Sequence, residues 1–148
     1  MDTKIGRRWL VNLDHFPSSV ITDENTVYIR QFYNQDRARF CYQKNRKDNH
    51  VTCFENDVTI PMEKFLEEYE KASAPEMLIK ERTKFSVGNN PVQFDRFLFL
   101  DDLAIVQIEF TDELTASNFT DFPAWFEKEI THEDVQSDYE LFIKINKD

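Results

Sequence analysis

Leu78-Ile79-Lys80-Glu81-Arg82-Thr83-Lys84-Phe85 decides the fold class of this chain. Residues two apart along a strand share a face, so Lys80, Arg82 and Lys84 project together while Ile79, Glu81, Thr83 and Phe85 point to the other side. Such a stripe is either the solvated face of an exposed strand or a wall that binds phosphate. Strand-like runs rich in β-branched and aromatic residues extend from it in both directions, over 5–13, 27–33, 39–44, 51–60, 92–99 and 103–110, separated by short polar turns. The pattern is a meander of antiparallel hairpins.

Three helices interrupt the meander. Thr59-Ile60-Pro61 offers a cap followed by proline near a first turn, with Phe65, Leu66 and Tyr69 at helical spacing beyond it. Thr111-Asp112-Glu113 starts a short helix ending near Phe119, and Thr131-His132-Glu133-Asp134 starts a last one carrying Val135, Tyr139, Phe142 and Ile143. The expectation is an α+β fold with a large antiparallel sheet, and 148 residues suit a single domain over 1–148.

Composition bounds the function. Hydrophobic residues make up 41% and include fourteen Phe, enough apolar surface to offset the conformational entropy lost on folding. The net charge of −10 repels a polyphosphate backbone at long range and argues against general nucleic-acid binding. The charge is segregated, however: +3 over residues 1–50, −3 over 51–100 and −10 over 101–148, so a basic region coexists with an acidic exterior. No apolar run approaches the roughly 20 residues that span a bilayer, and MDTKIGRRWL lacks a signal-peptide core, so the expectation is a cytoplasmic protein with no membrane partner. Cys41 and Cys53 match no metal spacing and are expected to be reduced. Only Gly6 and Gly88 occur, so Gly-rich phosphate loops are absent and any phosphate must be held by side chains.

Cations recur on strand faces elsewhere. Lys4, Gly6 and Arg8 share a face, as do Tyr28, Arg30 and Phe32, while Gln107 and Glu109 alternate with Val106, Ile108 and Phe110. An open sheet leaves these groups to water; a closed barrel crowds them into a lumen, where like charges persist most readily when a polyanion or metal compensates. The hairpin near residue 47 hangs on one residue of register. Centred between 47 and 48, it groups Tyr42 and Lys44 with Cys53, Glu55 and Asp57; centred on 47, it sets Cys41 against Cys53. The first is preferred because it joins the charges and leaves Phe54, Val58 and Ile60 on the apolar side.

The segment Phe94-Asp95-Arg96-Phe97, then Ile105-Val106-Gln107-Ile108-Glu109-Phe110, then Pro123-Ala124-Trp125-Phe126-Glu127-Lys128-Glu129-Ile130-Thr131, resembles the C-terminal half of the CYTH, or triphosphate tunnel, family. In that family a strand ending in Glu-x-Glu-Phe leads to a Pro-x-Trp…Glu-Val-Thr segment and a final helix. Ile79-Lys80-Glu81-Arg82 is similar to the family's Lys-x-Arg strand, and Glu55-Asn56-Asp57-Val58-Thr59-Ile60 to its Glu-x-Glu-Ile strand. The resemblance follows the order of elements along nearly the whole chain and implies an antiparallel barrel, or tunnel, of about eight strands with three flanking helices.

The start departs from the family. Its signature Glu-Ile-Glu-Arg-Lys-Phe-Leu-Val corresponds to Lys4-Ile5-Gly6-Arg7-Arg8-Trp9-Leu10-Val11, which keeps the frame and loses both acidic positions; Gln107 replaces a third carboxylate. In the family those glutamates help hold the divalent metal that activates the triphosphate. A hard cation such as magnesium or manganese is anchored by carboxylates plus phosphate oxygens, and Glu109 and Glu129 remain for it, with Asp95, Glu55 or Asp57 as neighbours. By the resemblance, Arg8, Arg30, Lys44, Lys80 and Arg82 match positions that grip phosphate oxygens. Lys4 adds charge in place of a lost ligand, so binding without a required cofactor is implied.

Three readings stand. The first is a nucleotide- or polyphosphate-binding tunnel with weak or lost metal-dependent catalysis. The second is a divergent metal-dependent triphosphatase or nucleotidyl cyclase. The third is a scaffold whose acidic C-terminal third contacts a macromolecule. No residue is singled out as catalytic. His15, His50 and His132 lie far apart in loops or at a helix start, and Trp9 and Trp125 are expected to anchor the core.

Overall fold

Antiparallel pairing runs through the chain from end to end in the computed structural model, which describes residues 5–98, 100, 103–133 and 137–147. The strands are β1 (Ile5–Val11), β2 (Thr26–Tyr33), β3 (Arg39–Asn45), β4 (Val51–Glu55), β5 (Val58–Ile60), β6 (Leu78–Val87), β7 (Asn90–Phe97), β8 (Ala104–Phe110) and β9 (Phe126–Glu129). The helices are α1 (Met62–Lys71), α2 (Glu113–Asn118) and α3 (Asp138–Ile145). All nine strands form one sheet in the order β5-β4-β3-β2-β6-β7-β8-β1-β9. Among the described residues β5 and β9 remain its two edges, so hydrogen bonds do not close it into a barrel. No helix among the described residues is long and apolar enough to cross a membrane.

Turn chemistry sets the register. Val87 pairs with Asn90 across a two-residue turn in which Gly88 takes φ +61°, a left-handed conformation that glycine adopts without a Cβ penalty. The β3–β4 hairpin is centred between residues 47 and 48, with Lys44 opposite Val51 and Tyr42 opposite Cys53. Cys41 and Cys53 therefore project to opposite faces of the sheet, and both are free thiols.

Four expectations need correction. The run 51–60 is two strands, because Asn56 turns at φ 55° and its side chain accepts a hydrogen bond from the Arg39 backbone N–H at 3.0 Å. Residues 126–129 form an edge strand on β1 that the short charged run Phe126-Glu127-Lys128-Glu129 disguises. The last helix starts at Asp138 with Ser137 as its cap, since the Thr131 hydroxyl is occupied between Glu129 (2.5 Å) and the Arg8 backbone N–H (3.1 Å). Val135 and Asp134 lie outside the described residues. Finally, Phe54 shares a face with Cys41, while Ile60 faces Cys53 across β4–β5 and Val58 is exposed.

The two faces of the sheet are distinct. On one, α1 covers Phe32, Phe40, Cys53 and Ile60 with Phe65, and α2 brings Ala116 to a cluster of Trp9, Phe94, Val106 and Trp125. Both tryptophans are core anchors, as expected. The other face, called inner here, carries Lys80 and Arg82. At one end it is capped by α3, whose Leu141 packs with Leu78, Phe97, Ile105 and Ile130. Burying these large apolar side chains contributes roughly 2 kcal/mol each and fixes α3 against the inner face.

Candidate functional site

Register carries the alternation of β6 across its neighbours. Lys80 lies opposite Ile29 and Phe97, Arg82 opposite Val27 and Asp95, and Lys84 opposite Gln93. Gln93 in turn faces Gln107, which faces Arg8, while Glu109 faces Gly6. On the other side Gln31 faces Cys41 and Tyr33 faces Arg39. Cross-strand partners share a face, so Arg8, Arg39, Lys80, Arg82 and Lys84 all belong to the inner face.

A cavity of about 280 Å³ opens among Arg8, Tyr33, Arg39, Arg82, Asp95 and Gln107. A second, of about 190 Å³, extends from it toward Gln31, Cys41 and Phe54, and the two share Arg39, Arg82 and Asp138. Between them lies a chain of ion pairs. The Lys80 ammonium, 1% exposed, stands 2.6 Å from Asp138 Oδ2 and 3.0 Å from Asp95 Oδ2. Arg82 donates Nε to Asp95 Oδ1 at 2.9 Å and Nη2 to Oδ2 at 3.1 Å, and Gln31 donates to Asp138 Oδ2 at 2.8 Å.

Electrostatics follow from these contacts. Burial pushes the Asp95 carboxyl up, but Lys80 and Arg82 outweigh it and hold the group below the ordinary carboxylate range. Asp138 is likewise raised by burial and, on balance, lowered by Lys80 and the Gln31 hydrogen bond. Burial and then the Asp138 charge push the Tyr33 phenol up to about 12, so it faces the cavity as a neutral group. The Cys41 thiol is raised by burial against the pull of Lys80, Arg39 and Arg82, which keeps it protonated. The inner face thus neutralises part of its own positive charge. Two carboxylates sitting among the cations compensate part of their mutual repulsion.

The sequence-derived set divides in two. Arg8, Lys80 and Arg82 meet on the inner face; Lys4 lies outside the described residues. Arg30 and Lys44 stand on the opposite face, beside α1, with Tyr28, Tyr42 and Phe65. Their neighbour Phe32 holds the explanation, because it shares Arg30's face and is buried against Phe65 and Phe40. The alternation placed Arg30 correctly beside Phe32, but that face is the one the helix covers.

Four inner groups went unnoticed in the sequence: Arg39, Gln31, Tyr33 and Asp138. Gln31 and Tyr33 alternate with Arg30 and Phe32, so assigning Phe32 to the core selects them for the inner face. Asp138 comes from α3 and carries no strand signal at all.

The carboxylates proposed for a metal also part company. Glu129 is held by Arg7, which donates Nε at 2.9 Å and Nη2 at 2.7 Å, and this pairing lowers its carboxyl. Arg7 Nη1 bonds the Ala116 and Phe119 carbonyls at the end of α2, so the pair braces that helix. Glu55 pairs with Lys64 at 2.8 Å and Asp57 with Arg39 at 2.8 Å. Glu109 keeps an inner-face position opposite Gly6, as does Asp95 opposite Arg82, and Asp57 lines the second cavity. Among the described residues no three His, Cys, Asp or Glu side chains converge on one point. The described carboxylates therefore offer no multi-oxygen cage of protein groups alone, and a divalent cation held by one or two of them would take its remaining ligands from phosphate oxygens. His15, His50 and His132 are exposed and apart.

No protein-family model and no curated protein matches the sequence. Solved structures do. The crystal structure of the inorganic triphosphatase NE1496 aligns with a TM-score of 0.70 at 24% identity, over 99% of this chain and 99% of that one. A second crystal structure of NE1496 gives a TM-score of 0.68 at 24% identity, over 95% and 98%. With an antiparallel sheet, three helices and this end-to-end alignment, the chain has the fold of the CYTH, or triphosphate tunnel, proteins.

Proposed function

We propose that this protein binds a short polyphosphate, free or as the tail of a nucleotide, on the inner face of its sheet, with metal-dependent turnover weak or lost. The observation that carries the reading is the convergence of Arg8, Arg39 and Arg82 on one cavity of about 280 Å³. Guanidinium groups suit phosphate because their planar donors match two oxygens at once. Among the described residues Arg82 uses Nε and Nη2 on Asp95, leaving Nη1 for a ligand, and the Arg39 side chain engages Asn56 and Asp57 through Nη2. The cavity is small against the usual range of roughly 300–1,000 Å³ for ligand pockets, which favours a compact phosphate chain over a whole nucleotide.

Loss of turnover is supported by the carboxylates. Phosphoryl transfer needs charge neutralisation at the leaving group, a task in which metal ions are central. Here Asp95 and Asp138 are both engaged by Lys80, which takes up charge they would otherwise offer a metal.

The test is a calorimetric titration with tripolyphosphate in EDTA and again in magnesium, with the recovered ligand assayed for hydrolysis. Binding in EDTA with intact ligand, weakened at least tenfold in Arg82→Ala, is the expected result. Magnesium-dependent binding with turnover would restore the enzyme reading. No binding in either buffer would leave the fold as a scaffold and direct attention to the acidic C-terminal third.

A further inference from the structure

A cavity larger than those of the inner face lies on the other side of the sheet, where α1 leans over β2 and β3. It measures about 730 Å³, within the size range of pockets for small organic ligands. Its floor is apolar: Phe65 is buried, while Met62 and Leu66 of α1 stay 39% and 52% exposed, facing a groove that Met77 also lines. Tyr28 and Tyr42 form one wall.

Above that floor stand Arg30 and Lys44. The Arg30 Nε donates to the Tyr28 hydroxyl at 2.8 Å and its guanidinium lies 5.5 Å from the Tyr28 ring centre, so the tyrosine holds the cation at the groove through Nε. Among the described residues neither Arg30 nor Lys44 has a carboxylate within ion-pair distance. That is unusual company in a chain of net charge −10, where Arg46 at the same groove is already shared between Asp23 (3.1 Å) and Glu81 (3.4 Å).

We propose that this groove is a second ligand site, separate from the inner face, for a small amphipathic anion: an aromatic or aliphatic body carrying one carboxylate, sulfonate or phosphate. The body covers Met62, Leu66 and Met77 and stacks against the tyrosines; the head meets Arg30 and Lys44. Inorganic polyphosphate does not suit the site, since an apolar floor gives a polyanion no partners and desolvates it. The two sites use opposite faces of β2 and β3, so neither depends on the other for its residues.

The probe is anilinonaphthalene sulfonate, an aromatic sulfonate whose fluorescence rises on transfer to an apolar site. The expected result is saturable binding at one site by the folded protein, roughly tenfold weaker in Arg30→Gln/Lys44→Gln and in Leu66→Asp, and undisturbed by excess tripolyphosphate. Thermal unfolding of each variant is recorded alongside, and because Arg30 and Leu66 are exposed and Lys44 is half-buried without a carboxylate partner among the described residues, their melting temperatures should stay close to the parent. Equal affinity in both variants, absence of saturable binding, or displacement by tripolyphosphate would each overturn the proposal. Loss of dye binding in these variants leaves phosphate binding at the inner face untouched, and calorimetry of Arg82→Ala reads that site separately.

Discussion

Lys80 and Asp138 join the sheet to the last helix through a contact of 2.6 Å, made by an ammonium that is 1% exposed. Asp138 is the first residue of α3, so the same ion pair that neutralises the inner face also positions the helix that caps it. Asp95, at 3.0 Å from the same nitrogen, makes Lys80 the centre of a carboxylate pair.

Removing that centre should be costly. Lys80→Met leaves Asp95 with Arg82 alone and Asp138 with Gln31 alone, two carboxylates with much of their charge uncompensated. Breaking a buried pair from one side typically costs about 3 kcal/mol or more. Urea denaturation should show a loss of that order for Lys80→Met, whereas Lys84→Met, on the exposed end of the same stripe, should change stability by less than about 0.5 kcal/mol. Equal effects at the two positions would contradict the account.

Acid should act through the same cluster. Asp95 and Asp138 both hold their protons more weakly when folded than a free carboxyl does. As pH falls through about 4, the unfolded chain takes up protons that the folded one refuses, so stability present at neutral pH is lost below that point. Denaturation midpoints measured from pH 7 down to 3 should therefore fall, and Asp138→Asn should flatten the slope by removing one of the two linked groups. An unchanged slope would mean that Asp138 does not titrate with folding.

The fold was legible because period-two alternation survives in nearly every strand: Lys80, Arg82 and Lys84 fall on one face as the spacing requires, and the β3–β4 register follows the preferred centre. The site was half legible. Alternation says which residues share a face but not which face a helix will cover, and Arg30 and Lys44 were grouped with Lys80 although Phe32 and Phe65 bury their side of the sheet. Glu129 shows the other limit, since its partner Arg7 is 122 positions away and only the β1–β9 pairing brings them together. Asp138, supplied by a helix, is fixed by tertiary packing of Leu141 and has no local signature.

Ligand affinity offers a sharper view of Asp138. Its carboxylate sits among Lys80, Arg82 and Arg39, at a place where a phosphate oxygen would be attracted by the same groups. Asp138→Asn keeps the size and removes the charge. Tripolyphosphate binding in EDTA should tighten several-fold, with the steeper salt dependence of an added cation contact. Weaker binding would show that Asp138 supports the site rather than competing for it.

Arg7 and Glu129 are expected to behave as a brace. Glu129 is 37% exposed, so Glu129→Gln should cost about 1 kcal/mol or less. Arg7→Met also strips the Ala116 and Phe119 carbonyls of their donor and should cost about 2 kcal/mol, read by thermal or urea unfolding. Manganese affinity, followed by electron paramagnetic resonance, should be the same in the parent and Glu129→Gln. A drop in that affinity would return Glu129 to the metal ligands.

Gly6 permits a direct test of what the lost carboxylates mean for metal binding on the inner face. It faces Glu109 across β1 and β8, and a Cβ built at Gly6 meets only the Gln107 Nε2, at 3.5 Å, an ordinary contact. Its φ lies outside the left-handed region, so a larger side chain is not strained there. Gly6→Glu/Gln107→Glu would therefore add two carboxylates to the face that holds Glu109, restoring acidic groups at two of the positions where the sequence departs from the tunnel family. Cross-strand neighbours lie about 5 Å apart, close enough for their oxygens to share one hard cation. Without metal the three like charges repel, and the variant should melt below the parent in EDTA. Manganese should raise its melting temperature by several degrees, in proportion to the metal bound, while leaving the parent unchanged. If the variant melts at one temperature with and without manganese, carboxylates at these two positions do not suffice to bind the metal, and the Lys80 ammonium between Asp95 and Asp138 becomes the group to remove next.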